Sequence, residues 1–358
     1  MSRSTLTPLN RGDIIGILGG GQLGRMLSVA ASRLGFKTHI YSPDPQAPAI
    51  HVAAYHTAAP YEDLDSVRAF AESCDLVTYE FENIPEFTAK ATEFGAILRP
   101  GLKALTTAQD RFAEKSFLQD KAKVPVAPFK KVDNIFDLQR AVKIIGLPAV
   151  LKTRRFGYDG KGQFILKTEA DIETAWAALG EQPSILEGFI PFKREISIIA
   201  ARGIDGEVAA YPITENVHKN HILHISTAPA TGNGDTAKAM AHNILQELEY
   251  VGVIGVEFFE MENGDLIVNE IAPRVHNSGH WTQDAGCIDQ FELHIRAIAG
   301  WPLGDIQIKH GVQMINLIGD DVNNIEAYAR EPNSFIHLYG KDEARAGRKM
   351  GHINRIIP

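Results

Sequence analysis

Residues 149–166 read Ala149-Val150-Leu151-Lys152-Thr153-Arg154-Arg155-Phe156-Gly157-Tyr158-Asp159-Gly160-Lys161-Gly162-Gln163-Phe164-Ile165-Leu166, and the fold turns on this stretch. A short apolar run, a polar loop with three glycines and a second apolar run predict a glycine-rich hairpin. Gly157, Gly160 and Gly162 free the backbone to bring N–H groups around an anion, while Lys152 and Lys161 neutralise phosphate charge. This is not a Walker A loop: G-x-x-x-x-G-K-[ST] is absent, and the loop leads into a strand where that motif needs a helix. Taken alone, the stretch is also compatible with a flexible turn carrying solvated cations.

Two later runs narrow the choice. Residues 255–259 and 266–270 read as neighbouring strands, with Glu257 on the face opposite Val256 and Phe258, and Asn269-Glu270 ending the second strand. Side chains on one face of adjacent strands lie about 5 Å apart, so two carboxylates there repel unless a cation sits between them. Mg²⁺ favours carboxylate and phosphate oxygens. A phosphate hairpin and an acidic pair together therefore imply a nucleoside triphosphate site.

Toward the N-terminus, residues 14–18 read as a buried strand, Gly19-Gly20-Gly21-Gln22-Leu23-Gly24 as a turn, and 22–34 as a helix with Leu23, Met26, Leu27 and Ala30 on one face. Strands at 37–41 and 76–79 and a helix at 64–73 continue an alternation that predicts a parallel, α/β first domain. The turn satisfies G-x-G-x-x-G, and Asp44 follows Gly24 by 20 residues, which raises a nicotinamide- or flavin-binding oxidoreductase as a rival. Pro43 and Pro45 flank Asp44, so a structural turn or a cradle for substrate phosphate is preferred. The Arg99-Pro100-Gly101 break ends this domain. A charged helix over 107–121 and the proline-marked linker 124–128 follow, and strands at 184–187, 195–201 and 208–211 with a helix at 237–248 predict a large antiparallel sheet. Residues 1–12 are expected to be a loose leader.

The chain has 358 residues, 44% hydrophobic and 22% charged, which suits two to three globular domains. Thirty-six Lys and Arg against 44 Asp and Glu leave a net charge of −8, so neither nucleic acid nor an anionic membrane is expected as a partner. Cys74 and Cys287 are the two cysteines, too few for a disulfide framework, and a cytoplasmic location is expected. The acidic, apolar-rich chain is compatible with a homodimer.

Pro273-Arg274-Val275-His276-Asn277-Ser278-Gly279-His280-Trp281-Thr282 follows Glu270 and lacks helical or strand alternation, which predicts a ligand-binding loop at a strand end. His218, His221 and His224 suggest a metal site, but β-leaning neighbours scatter period three over both faces of a strand. Lys341, Arg345, Arg348 and Lys349 form a basic cluster, either solvated or walling a phosphate.

Lys152, the loop 157–163, Glu187-Gly188-Phe189-Ile190, Glu195, Glu257 and Asn269-Glu270 together resemble the ATP-grasp ligases. Within these, the Gly19–Met26 turn, Tyr79-Glu80-Phe81-Glu82-Asn83-Ile84-Pro85, the Pro273–Thr282 loop and Gly347-Arg348-Lys349-Met350-Gly351-His352 are similar to the 5-(carboxyamino)imidazole ribonucleotide synthase family. The likeness covers about residues 13–355. It implies an ATP-grasp fold, α/β and α+β, with a Rossmann-like pre-ATP-grasp domain (1–104), a linker helix and small lid (105–186) and a larger mixed-sheet domain with a C-terminal substrate-binding segment (187–358). The resemblance also implies a further helical tail, whereas the sequence stops at Pro358, soon after His352.

The resemblance implies roles as well. Arg111 and Lys152 contact ATP, Gly157, Tyr158, Asp159, Gly160, Lys161, Gly162 and Gln163 close over its phosphates, and Glu187, Gly188, Phe189 and Ile190 hold adenine. Glu195 takes the ribose, and Glu257 and Glu270, helped by Asn269, bind Mg²⁺. Aminoimidazole ribonucleotide is approached by Gln22, Tyr79, Glu80 and Asn83, with its phosphate at Lys341, Arg348 and Lys349. Arg274, His276 and Asn277 lie between the two substrates, where bicarbonate is phosphorylated. The implied reaction is ATP- and bicarbonate-dependent carboxylation of the ribonucleotide amine, releasing ADP and phosphate. Rivals are a formate-dependent ligase, the oxidoreductase above and a non-catalytic ATP sensor.

Overall fold

Ile14–Leu18, Lys37–Ser42 and Leu76–Tyr79 are almost wholly buried strands, and strands buried on both faces need helices on both sides of their sheet. They form the centre of a parallel sheet in the order Tyr55–Ala58, Lys37–Ser42, Ile14–Leu18, Leu76–Tyr79, Ile97–Leu98. The computed structural model describes residues 7–157 and 162–357. Helix Gln22–Arg33 follows the first strand directly and buries Leu27, Ala30 and Ala31.

A second, four-stranded antiparallel sheet runs Phe129–Val132, Ser184–Gly188, Ala149–Thr153, Gln163–Leu166. Its own core includes Leu138, Val142, Leu151, Trp176 and Leu186. A third sheet has nine strands, with Leu266–Ala272, Gly252–Glu260 and Arg194–Arg202 at one end and Lys349–Ile357 and Ser334–Leu338 at the other. Its strand pairs are antiparallel, and a parallel bridge from Val126 to Val268 gives its edge mixed character. Ile15, Leu27 and Ala30 of the first sheet's layer share one apolar cluster with Val253, Ile295 and Ile298 of the third. That common core packs the first sheet's layer against the third's.

Four expectations need correction. The helix expected over 107–121 is two, Leu102–Ala108 and Arg111–Asp120, because extended Asp110 (φ −130°) caps the second through Phe112 N and Ala113 N. The leader is not loose over its described part: Leu9 is 4% exposed, its N–H donates to Ala299 O, and Trp301 Nε1 donates to Leu9 O. The loop at 273–282 passes into a buried 3₁₀ helix, Asn277–Asp284, with Trp281 Nε1 donating to Thr214 Oγ1. The strand expected at 184–187 in the large antiparallel sheet belongs instead to the four-stranded one, as Ser184–Gly188 between Phe129–Val132 and Ala149–Thr153.

Candidate active site

Lys152 points from its strand toward Glu187 on the neighbouring one, with Nζ 3.0 Å from Oε2. Lys115, from helix Arg111–Asp120, reaches the same oxygen at 3.5 Å and donates to Asn269 O at 2.7 Å. Burial alone raises the Glu187 carboxyl, but the two lysines outweigh it and hold it at about 2. Glu187 therefore stays ionised, and its Oε1 is a buried acceptor without a partner among the described residues. A donor such as the amino group of adenine suits this oxygen.

Glu257 and Glu270 lie directly opposite each other in the strand register. Burial, then the charge of Glu270, pushes the Glu257 carboxyl up; Glu114, whose Oε1 accepts from Ile271 N at 2.6 Å, is raised for the same two reasons. Asn269 Oδ1 is buried beside them and unpartnered among the described residues. Crowded carboxylates with a spare carbonyl oxygen form the donor set of a hard cation. Among the described residues no three His, Cys, Asp or Glu side chains form a ready metal cage, so a cation held here would need oxygens from outside the protein.

The phosphate hairpin is gripped from below. Arg111 donates to Thr153 O and Gly157 O, each at 3.0 Å, and Arg155 Nη2 donates to Gln109 Oε1 at 2.8 Å. Gly162 has φ +70°, and a Cβ there would lie 2.6 Å from Thr153 Oγ1. Gln163 begins the outgoing strand. Tyr158, Asp159, Gly160 and Lys161 lie outside the described residues. Gly188 N donates to Pro128 O and Phe189 N to Pro148 O, tying the segment that leads to Ile190. Glu195 Oε2 lies 2.6 Å from His218 Nδ1, two residues past its cross-strand partner Asn216. His221 sits in the following hairpin turn at φ +63°, and among the described residues His218, His221 and His224 form no group that could hold a metal ion.

On the first-sheet side, Glu80 fills the glycine turn. It accepts from Gly21 N and, at 2.6 Å, from Gly24 N, and a Cβ on Gly19 would strike it at 2.4 Å. The helix N-terminus that would receive a dinucleotide pyrophosphate thus holds the protein's own carboxylate, which argues against the oxidoreductase reading. Tyr79 is fully buried, and Asn83 is half-buried in the adjoining turn. Lys341 Nζ donates to Gln22 Oε1 at 2.6 Å and to Lys349 O at 2.7 Å, joining the C-terminal segment to the first helix. Burial and the neighbouring Arg348 bring Lys341 down to about 8. Arg348 Nη1 donates to Glu343 O at 2.9 Å.

Between these halves, Arg274 makes a two-point pair with Glu82, Nε to Oε2 at 2.6 Å and Nη2 to Oε1 at 3.2 Å. His276 Nε2 lies 3.5 Å from Glu257 Oε1, so the loop touches the acidic pair on one side and the first domain on the other. Asn277 exchanges both amide hydrogen bonds with Asn316, at 3.1 and 2.7 Å, which engages its side chain within the protein. Glu82, Gln109, Glu114 and Lys115 were missed by sequence reasoning. The adjacent pair Glu114-Lys115 resembles any solvated helix face, and only its burial, at 3% and 2% exposure, marks it.

The ATP-grasp domain family matches residues 117–291, the ribonucleotide synthetase preATP-grasp domain residues 13–109, and the phosphoribosylaminoimidazole carboxylase C-terminal domain residues 313–357. N5-carboxyaminoimidazole ribonucleotide synthase of Brucella melitensis biotype 1 is 48% identical over 357 residues, 98% of each chain. A solved ADP complex of N5-carboxyaminoimidazole ribonucleotide synthetase superposes with TM-score 0.94 at 42% identity, covering 98% of this chain and 94% of the other. The Aspergillus clavatus N5-carboxyaminoimidazole synthase, solved with ADP and 5-aminoimidazole ribonucleotide, gives TM-score 0.90 at 32% identity over 97% and 94% of the two chains.

Proposed function

The chain belongs to the N5-carboxyaminoimidazole ribonucleotide synthase family, and from that premise we propose how its cleft carries out the ATP-dependent carboxylation of 5-aminoimidazole ribonucleotide in purine biosynthesis. The observation that carries this reading is the continuity of the site: Glu257 reaches His276, and the same loop's Arg274 reaches Glu82 across the cleft. A nucleotide on the lysine side and a ribonucleotide on the first-sheet side then face each other across one short loop.

ATP lies against Lys152, Glu187 and Glu195, with the phosphate hairpin, Lys161 included, over its phosphates and Arg111 anchoring the hairpin base. Glu257 and Glu270, with Asn269, would hold Mg²⁺, which would draw charge from the phosphates. Bicarbonate is a poor electrophile, and phosphorylation by ATP converts it to carboxyphosphate. Arg274 and His276 offer N–H donors to its oxygens, and the closed hairpin keeps water away until the amine captures the carboxyl carbon. Gln22, Tyr79, Glu80 and Asn83 flank the ribonucleotide, and Lys341, Arg348 and Lys349 take its 5′-phosphate. Asn277 acts through its grip on Asn316. The domain limits 1–104, 105–186 and 187–358, a homodimer and a cytoplasmic location are parts of the same proposal. No helix among the described residues is long and apolar enough to cross a membrane.

ADP release from ATP and Mg²⁺ is expected to require both aminoimidazole ribonucleotide and bicarbonate for sustained turnover. Equal ADP release with formate in bicarbonate-depleted buffer would assign the chain to a formate-dependent ligase instead.

A further inference from the structure

Behind His276 runs a line of buried polar groups that the reaction does not touch. Ser226 Oγ donates to Asn216 Oδ1 at 2.7 Å, Asn216 Nδ2 donates to Ser197 Oγ at 2.9 Å, and Ser197 Oγ donates to Ser278 Oγ at 2.8 Å. Ser278 Oγ lies 2.9 Å from His276 Nδ1. The three serines are 0% exposed and Asn216 is 5% exposed. An amide nitrogen only donates and an amide oxygen only accepts, so the direction is set at Asn216 and runs outward, leaving the Ser278 proton to point at His276. The backbone agrees independently: Ser278 N–H also donates to His276 Nδ1, at 3.4 Å.

A ring nitrogen that faces two donors carries no hydrogen. A neutral imidazole has one, which must then be on Nε2, the atom turned toward Glu257. The backbone of His276 is equally constrained, since Gln290 accepts from its N–H at 2.9 Å and donates to its carbonyl at 2.8 Å. Gly255 completes the seat: a Cβ there would lie 2.7 Å from the His276 Cβ.

We propose that Ser278, backed by Ser197, is a positioning residue that holds His276 in its Nε2–H tautomer, so that His276 donates to an oxygen of bicarbonate and carboxyphosphate and is not the acceptor of the amine proton. The proposal rests on the reading above that His276 meets bicarbonate. It gives Ser197 and Ser278 a catalytic consequence although neither reaches a substrate.

The test is the long-range ¹H–¹⁵N spectrum of ¹⁵N-histidine-labelled protein, with the His276 signals assigned by their loss in His276→Asn. The expected result is hydrogen on Nε2 and none on Nδ1 in the wild type, and mixed tautomers in Ser278→Ala. In steady-state assays Ser278→Ala is expected to lower kcat/KM for bicarbonate by about 10- to 100-fold while KM for ATP and the ribonucleotide stays within about twofold. Combined with His276→Asn, Ser278→Ala should cost nothing further. Hydrogen on Nδ1 in the wild type, or an additive loss in the double variant, overturns the proposal; the wild-type spectrum decides alone if Ser278→Ala fails to fold. A His276→Asn enzyme with unaltered bicarbonate kinetics overturns the underlying placement of His276 instead, whatever the tautomer.

Discussion

Glu80 illustrates what a single residue decides. The G-x-G-x-x-G turn is a genuine glycine-rich turn between strand and helix, yet its open N–H groups are taken by a carboxylate 56 residues beyond Gly24. Glu80→Ala leaves those donors unpaired in a buried site, and urea unfolding is expected to register a loss of about 1–3 kcal/mol. His294 makes the corresponding argument for pH. Its Nδ1 accepts from Val253 N at 3.1 Å and its Nε2 lies 3.0 Å from Thr78 Oγ1, so a second ring proton would face a backbone N–H. Burial lowers it from 6.5 to about 3. Between those values the unfolded chain binds the proton and the folded chain does not, so the His294 contribution to stability is constant above about pH 6.5 and falls as pH drops toward 3. Urea titrations at pH 7.5 and 5.5 should show His294→Gln losing less stability on acidification than the wild type, by up to about 1.4 kcal/mol per pH unit. Equal losses would remove His294 as a source of acid sensitivity.

At the scale of elements, the phosphate hairpin is positioned by the break between two helices. Asp110 caps Phe112 N and Ala113 N, and its other duty is Arg154, with Nε 2.9 Å from Oδ2. Asp110→Ala removes the cap and the anchor together, so a destabilisation of about 1–2 kcal/mol by urea unfolding is expected, with a raised KM for ATP and little change for the ribonucleotide. A purely structural cap would leave both KM values unchanged. The hairpin itself and the Glu257–Glu270 pair were legible in the sequence, because glycines with cations and strand alternation are local signals. The helix break was not read, although Asp110 is a favoured N-cap residue: both flanking stretches are helical, and Arg154, which holds the Asp110 carboxylate in the turn between them, lies 44 positions on.

Over the whole molecule, legibility falls as the interacting residues separate along the chain. Arg274 and Glu82 stand 192 positions apart, and Ser197 and Ser278 81, so no local pattern announces either pair. Leu9 read as part of a polar leader because its partners, Ala299 and Trp301, come nearly 300 residues later. The family motifs supplied roles that spacing alone does not carry, and the fold supplied the reason those motifs meet: a shared apolar core packs the first sheet's layer against that of the nine-stranded sheet, with the Arg274 loop between them. The central claim is that this cleft joins bicarbonate to the ribonucleotide amine with ATP. Its most direct test is fixation of ¹⁴C-bicarbonate in the presence of ATP, Mg²⁺ and aminoimidazole ribonucleotide, with ADP measured in the same samples. The account predicts one label fixed per ADP at early times, and none when ATP or the ribonucleotide is omitted. ADP release with the ribonucleotide present and no label fixed would contradict it.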